Sequence, residues 1–282
     1  MTQVFKRHRN KNDYLATPSG LWVRDFGKSA VPVDINDLTA ESEYTALTRN
    51  ELENRDFNLP AIDGERIYAP NLLIVSDGYN FQSVLPALAG LSKKVTVIGV
   101  NRSLARWDAK VRMSYYLTNN PYQEALTCLP ALSTYYPRCI CSVRTNPDFI
   151  RRYLHRGGYV YRYTPPPTRT FRGASPTPLY AVDDYRNPVC AAVVLAHRFH
   201  AERVALVCCD DVFRDERPGA ERLPNGMWLY KPQRTAHELI EANLYWLTHQ
   251  PGRKVRVVNC SSGPEYNRVP YITPDSLTDF FG

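Results

Sequence analysis

The feature that most constrains this chain is a series of short apolar runs, each broken off by small or polar residues. Leu72-Leu73-Ile74-Val75 stops at Ser76-Asp77-Gly78, and Val95-Thr96-Val97-Ile98-Gly99-Val100 stops at Asn101-Arg102-Ser103. Further runs cover 114–118, 139–143, 159–163, 204–209 and 255–259. Continuous apolar runs of about four to eight residues suit strands buried on both faces, as parallel strands are. Helical stretches are expected between them at 81–91, 147–155, 188–200 and 235–249. This alternation predicts an α/β fold built on a doubly wound, mainly parallel sheet.

Residues 1–66 lack that alternation. They carry a basic start, a Pro/Gly-punctuated stretch and a helix expected at 41–55, and read as an N-terminal extension. Residues 67–263 form the α/β domain and 264–282 a C-terminal tail. No apolar run approaches the roughly 20 residues needed to cross a bilayer, so no membrane span is expected. Lys6-Arg7-His8-Arg9 follows Met1 without a hydrophobic signal core, so the expected location is the cytoplasm. The seven cysteines are an odd number, and Cys139, Cys141, Cys190, Cys208 and Cys209 lie in or beside apolar stretches. They read as reduced core thiols. The spacings Cys139-Ile140-Cys141 and Cys208-Cys209 do not suit zinc.

Ligands of open α/β sheets bind beyond the carboxyl ends of the strands, which directs attention to five loops. In Ser76-Asp77-Gly78-Tyr79-Asn80 a glycine turn precedes a helix, where backbone amides can meet a phosphate, or simply close a turn. Asn101 and Arg102 offer an amide for a base or ribose and a charge for phosphate, or a helix cap. Asn119 and Asn120 suit a hydroxylated ligand or a turn before Pro121.

Asp183-Asp184-Tyr185-Arg186-Asn187 concentrates two carboxylates, a phenol, a guanidinium and an amide at the start of a helix opened by Pro188. Those acids can hold a metal, act as a base, or complement the helix dipole. Cys208-Cys209-Asp210-Asp211 ends a strand in adjacent acids, with Asp210 where a metal, ribose or acceptor would sit. His237 is a possible base in a helix, Trp228 and Tyr230 can stack on a ring or fill the core, and Ser261-Ser262-Gly263 closes the rim. The segment 164–184, with Pro165-Pro166-Pro167, is long enough for a mobile lid.

The formal charge of +7 and pI near 9.0 favour an anionic partner. Eight arginines, Arg138 to Arg172, face the single acid Asp148, with Tyr153, Tyr159, Tyr161 and Tyr163 interleaved. Such a stretch can follow a nucleic-acid backbone, hold an anionic acceptor, or form a solvated face beside a half-buried strand.

The order of these pieces from about Tyr68 to Gly263 resembles the Rossmann-like family of archaeal 6-hydroxymethylpterin diphosphokinase and the motility accessory factors that glycosylate flagellin, and more distantly bacterial sialyltransferases. Ser76-Asp77-Gly78, Asn101, Asp184 to Asn187 and Asp210 stand where that family carries its glycine turn, its Asn or Asp, its polar helix start and its acid. Ser-Asp-Gly-Tyr-Asn replaces the usual Gly-Pro-Ser turn, and Asp-Tyr-Arg-Asn-Pro the usual Gly-Ser-rich helix start.

The resemblance implies a transferase using a nucleotide-activated donor, foremost a sialyltransferase-like glycosyltransferase with a nucleotide sugar. Asp184 would be its first choice of base and His237 its second. A diphosphokinase using ATP is the alternative, with Asp183, Asp184 and Asp210 on Mg2+. The third reading is a non-catalytic scaffold that binds nucleic acid or an assembly through its basic segments.

Overall fold

The computed structural model describes residues 14–16, 22–24, 39–107, 112–130, 135–165, 187–210, 212–213, 220–222, 228–261, 266 and 269–282. Two short antiparallel strands, β1 (Tyr14–Ala16) and β2 (Trp22–Arg24), precede helix α1 (Thr39–Arg55). The α/β alternation then begins with β3 (Asn71–Val75), α2 (Phe81–Leu88), β4 (Val95–Val100), β5 (Tyr115–Thr118) and β6 (Arg138–Ser142). It continues through α3 (Pro147–His155), β7 (Val160–Tyr163), α4 (Pro188–Arg198) and β8 (Arg203–Val207). A small antiparallel sheet of β9 (Val212–Phe213), β10 (Ala220–Arg222) and β11 (Trp228–Tyr230) follows. The chain closes with α5 (Lys231–Thr248), β12 (Arg256–Asn259) and α6 (Leu277–Phe281).

Seven strands form one sheet in the order β12-β8-β3-β4-β5-β6-β7, and every pairing in it is parallel. The fold is therefore Rossmann-like α/β, and the sheet is wholly parallel where the sequence suggests mainly so. The reason lies in β3: Leu72, Leu73, Ile74 and Val75 are all 0% exposed. Leu72 and Ile74 pack into the core shared with α4 and α5, while Leu73 and Val75 pack into the core of α2, α3 and α6. Burying each such side chain stabilises the fold by about 1.5–3 kcal/mol. A strand apolar on both faces needs helices on both.

The strand order sets the site. From β3 the chain steps outward to β7, then returns through α4 to place β8 on the other side of β3. The helix after β3 covers one face and the helix after β8 the other, so the two connections part at the carboxyl ends of β3 and β8. Such a point of reversal leaves a crevice.

Two local devices hold the frame. The Asn187 carboxamide oxygen accepts from Val189 N at 2.8 Å, capping α4 ahead of Pro188 as the Asn-Pro pair predicts. On α1, Asn54 Nδ2 donates to Val143 O (2.9 Å) and Thr145 O (2.7 Å), and Asn50 Nδ2 to Pro121 O (2.8 Å) and Arg144 O (3.2 Å). Helix α1 thus sits over the turns that follow β5 and β6. Leu59 and Ile62 ahead of the domain, and Leu277, Phe280 and Phe281 behind it, also enter the two cores. Among the described residues, no helix is long and apolar enough to cross a membrane.

All seven cysteines are buried thiols that form no disulfide. Burial pushes the thiols of Cys141 and Cys260 up to about 12, and it raises Cys128, Cys139, Cys208 and Cys209 as well. These thiols are core hydrophobes, not nucleophiles. A thiol-specific chromogenic reagent at about pH 8 should therefore release almost no colour from the native protein, and all seven equivalents after unfolding. Rapid labelling of one or more cysteines in the native state would contradict this packing.

Candidate active-site crevice

The crevice begins with the contact between the turns after β3 and β8. Ser76 N donates to Val207 O at 3.0 Å, Gly78 N to Cys208 O at 3.0 Å, and Tyr79 N to Asp210 Oδ1 at 3.3 Å. A Cβ added at Gly78 would lie 2.5 Å from both Asp210 Oδ1 and Cys208 O. Only glycine lets these two turns meet. Cys208 adopts a left-handed backbone (φ 52°), which for a residue with a Cβ is strained and must be held by its surroundings.

The amides of Gly78 and Tyr79 are thus already engaged, and a carboxylate from the protein's own chain stands at the turn where the sequence suggests a phosphate. Asp210 is only 7% exposed, and it lies close enough to Cys208, together with Asp77, to raise that thiol's pKa.

Asn101 forms the second wall. Its backbone is left-handed (φ 55°), held by the hydrogen bond from Tyr116 OH to Asn101 O at 2.9 Å. This turn aims Asn101 Nδ2 at Ser76 Oγ, 2.9 Å away. Because the amide donates, the serine hydroxyl keeps its proton as a donor and Asn101 Oδ1 keeps its acceptor role. Nearby, the buried Asn80 Oδ1 has no hydrogen-bond partner among the described residues. Buried acceptors of this kind call for a donor, from water or from a ligand.

Arg102 is exposed one helical turn before Arg106, whose Nη1 donates to Asp77 O at 3.0 Å and whose guanidinium lies 4.9 Å above the Phe81 ring. Arg106 is a cation of the crevice that sequence reasoning missed. Its only signal was its spacing of four from Arg102 in a helical turn.

The third wall comes from β12 and α5. Ser261 Oγ accepts from Cys209 N at 2.9 Å, and Asn259 Oδ1 accepts from Ser261 N at 2.9 Å. The Ser261 hydroxyl oxygen thus helps to position the β8 turn. Tyr266 OH donates to Cys209 O at 2.9 Å, and the His237 ring stacks on Tyr266 with centroids 4.2 Å apart and planes 11° apart. Tyr266 was also missed, since it lies in the segment read as a tail. It ties His237 to the strand end that carries Asp210.

Other expected residues have different places. Thr118 Oγ1 accepts from Asn120 N (3.4 Å), Asn120 Oδ1 accepts from Tyr122 N (2.9 Å), and Asn120 O accepts from Asn146 N (3.0 Å). Asn119 is buried beside this turn, which lies under α1. The open part of the carboxyl edge is thereby narrowed to β4, β3, β8 and β12. Asp183, Asp184, Tyr185, Arg186, Asp211, Ser262 and Gly263 lie outside the described residues.

Asn187 stands at the same edge. The far end of α4 is pinned beside the start of β3 by Ala69 N to Phe199 O, 2.7 Å, and its 11 residues rise about 16 Å. The Asn187 side chain itself is used as a cap.

Four described arginines of the basic stretch have separate partners. Arg144 pairs with Glu51 at 3.4 Å, Arg151 with Asp148, Arg156 donates to Pro130 O at 2.7 Å, and Arg162 donates to Leu59 O at 2.9 Å. Tyr153, Tyr161 and Tyr163 are core residues, while Tyr159 is exposed. Arg169 and Arg172 lie outside the described residues.

Compared with family models, curated proteins and solved structures, the chain finds no match. Its chemistry is therefore argued from the crevice. Ser76 and Asn101 present a donor and an acceptor, Asn80 Oδ1 an acceptor with no partner among the described residues, and Arg106 a guanidinium nearby. Magnesium is commonly held by one or two carboxylates beside substrate phosphates, and Asp77 and Asp210 border the crevice in that number.

Gly78→Ala should lower the melting temperature by several degrees. The clash is with the backbone carbonyl of Cys208 as well as a side chain, so relief requires the two turns to separate. A thermal melt unchanged from the parent protein would show that the β3 and β8 turns do not meet as described.

Proposed function

We propose that the crevice binds a nucleotide-activated donor and transfers its activated group to an acceptor, with a nucleotide sugar as the donor and a glycosyl group as the group moved. The observation that carries this reading is the convergence of Ser76, Asn101 and Asp210, from three separate loops, on the reversal point of the sheet. Adjacent donor and acceptor groups at Ser76 and Asn101 suit a ribose diol or a base edge. Arg106 supplies positive charge for the departing nucleotide phosphate.

In the transfer, the acceptor oxygen attacks the anomeric carbon and its proton passes to a base. The bond from that carbon to the phosphate oxygen breaks, and the nucleotide leaves with the electron pair. Asp210 is the carboxylate at the junction of the two turns, and His237 stacks on Tyr266, which bonds the neighbouring Cys209 carbonyl. Asp184 keeps the role its sequence position suggests.

A second reading, transfer of a diphosphoryl group from ATP, is favoured by the pair Asp77 and Asp210 as donors to magnesium. Incubation with ATP or with cytidine, uridine and guanosine diphospho- and monophospho-sugars, followed by mass analysis, separates the two. A glycosyl mass increment on an added acceptor, or on water, supports the first reading, a diphosphoryl increment the second, and no turnover of any donor contradicts both.

Asp210→Asn gives a sharper test. The amide keeps an acceptor for Tyr79 N but cannot take a proton. Turnover should fall about 10²–10⁴-fold with the melting temperature nearly unchanged. Retained turnover would remove Asp210 from the base role.

A further inference from the structure

A second cavity lies at the opposite, amino-terminal edge of the sheet, where Ile67 and Tyr68 lead into β3 and the last turn of α4 leads toward β8. Its volume is about 660 Å³, within the range of small-molecule sites. Ile62, Leu195 and Phe199 give it a buried apolar floor, and Tyr68 stands at its rim with 69% of its surface exposed.

The charges around it are unequally matched. Asp63 is paired with Arg198. Glu65 adds to the Tyr115 hydrogen bond in raising the Arg138 pKa and to burial in raising that of Tyr161. Glu202 accepts from Tyr68 OH at 3.3 Å. Against the two acids of its lining, Asp63 and Glu65, stand three arginines, Arg66, Arg198 and Arg253, with His197 and His200.

The end of α4 would normally oppose an anion, because its last carbonyls carry partial negative charge. Here the His197 carbonyl accepts from Arg253 Nη1 at 2.6 Å and from His200 N at 3.2 Å. Arg253 Nη1 also lies 3.2 Å from His197 Nδ1. A guanidinium can only donate, so Nδ1 is the acceptor and the ring proton resides on Nε2. Burial, with Arg253 and His200 nearby, lowers the His197 pKa and keeps the ring neutral, so it serves as a hydrogen-bond donor. His200 itself is held in a left-handed conformation (φ 58°) at the cavity wall.

We propose that this cavity is a binding site for a small organic anion, a carboxylate or phosphate carried on a planar, partly apolar body. The guanidinium groups of Arg66 and Arg253 and the Nε2 donor of the neutral His197 ring receive the anionic group. The apolar floor and the Tyr68 ring receive the body. The site is built independently of the crevice, which lies at the other end of α4.

Phenyl phosphate and benzoate are suitable probes, with benzyl alcohol and benzylamine as neutral and cationic controls, in thermal-shift titrations of the full chain. The two anions should raise the melting temperature in a saturable way and the controls should not. Arg66→Glu, at an exposed position, should melt like the parent without ligand yet weaken the anion response at least tenfold. Asp210→Asn should leave that response intact, which separates this site from the crevice. The proposal is overturned by no saturable shift up to the order of 10 mM probe, by equal shifts with benzyl alcohol, or by a response that survives Arg66→Glu.

Discussion

The close approach of Gly78 to Cys208 and Asp210 is the constraint on which the rest of the site depends. Two loops that leave the sheet toward opposite faces can share a crevice only if their backbones meet at its base. The missing Cβ of Gly78, the left-handed turn at Cys208 and the bonds from Gly78 N and Tyr79 N make that meeting possible. Ser76 and Asn101 then assemble on one side, and Ser261, Tyr266 and His237 on the other. A carboxylate fills the anion position at the turn, so the Tyr79 amide is taken by Asp210 and the Gly78 amide by the Cys208 carbonyl.

The strands and helices were legible because their signals are local. The run Leu72 to Val75 has no polar residue on either face, and Asn187-Pro188 states where α4 begins. The strand order was not legible, since nothing local in 203–207 specifies that it pairs with β3 instead of β7. The reversal point that makes a crevice between Gly78 and Asp210 is a property of that order.

Site residues divide along the same line. Ser76, Gly78, Asn101 and Asp210 could be nominated because they follow apolar runs. Their partners could not: Arg106 reaches Asp77 across 29 positions and Tyr266 reaches Cys209 across 57. The partners of the basic stretch were equally hidden. Its arginines are neighbours in sequence, but their partners are dispersed: Arg144 turns to α1, Arg156 to Pro130 and Arg162 to Leu59. Tyr159, Tyr161 and Tyr163 share one face by their spacing of two, and only Tyr159, just ahead of β7, is exposed, while Tyr161 and Tyr163 inside the strand are buried.

The central claim is that the crevice between β3 and β8 is where a nucleotide binds. Amide hydrogen exchange with and without cytidine, uridine, guanosine and adenosine monophosphates tests it most directly. With the nucleotide that binds, protection should rise in peptides spanning 76–81, 101–106 and 208–210, and stay unchanged at 62–68 and 195–200. Protection confined to 138–163, or no change at the three strand-end segments with any of the four, would contradict the account.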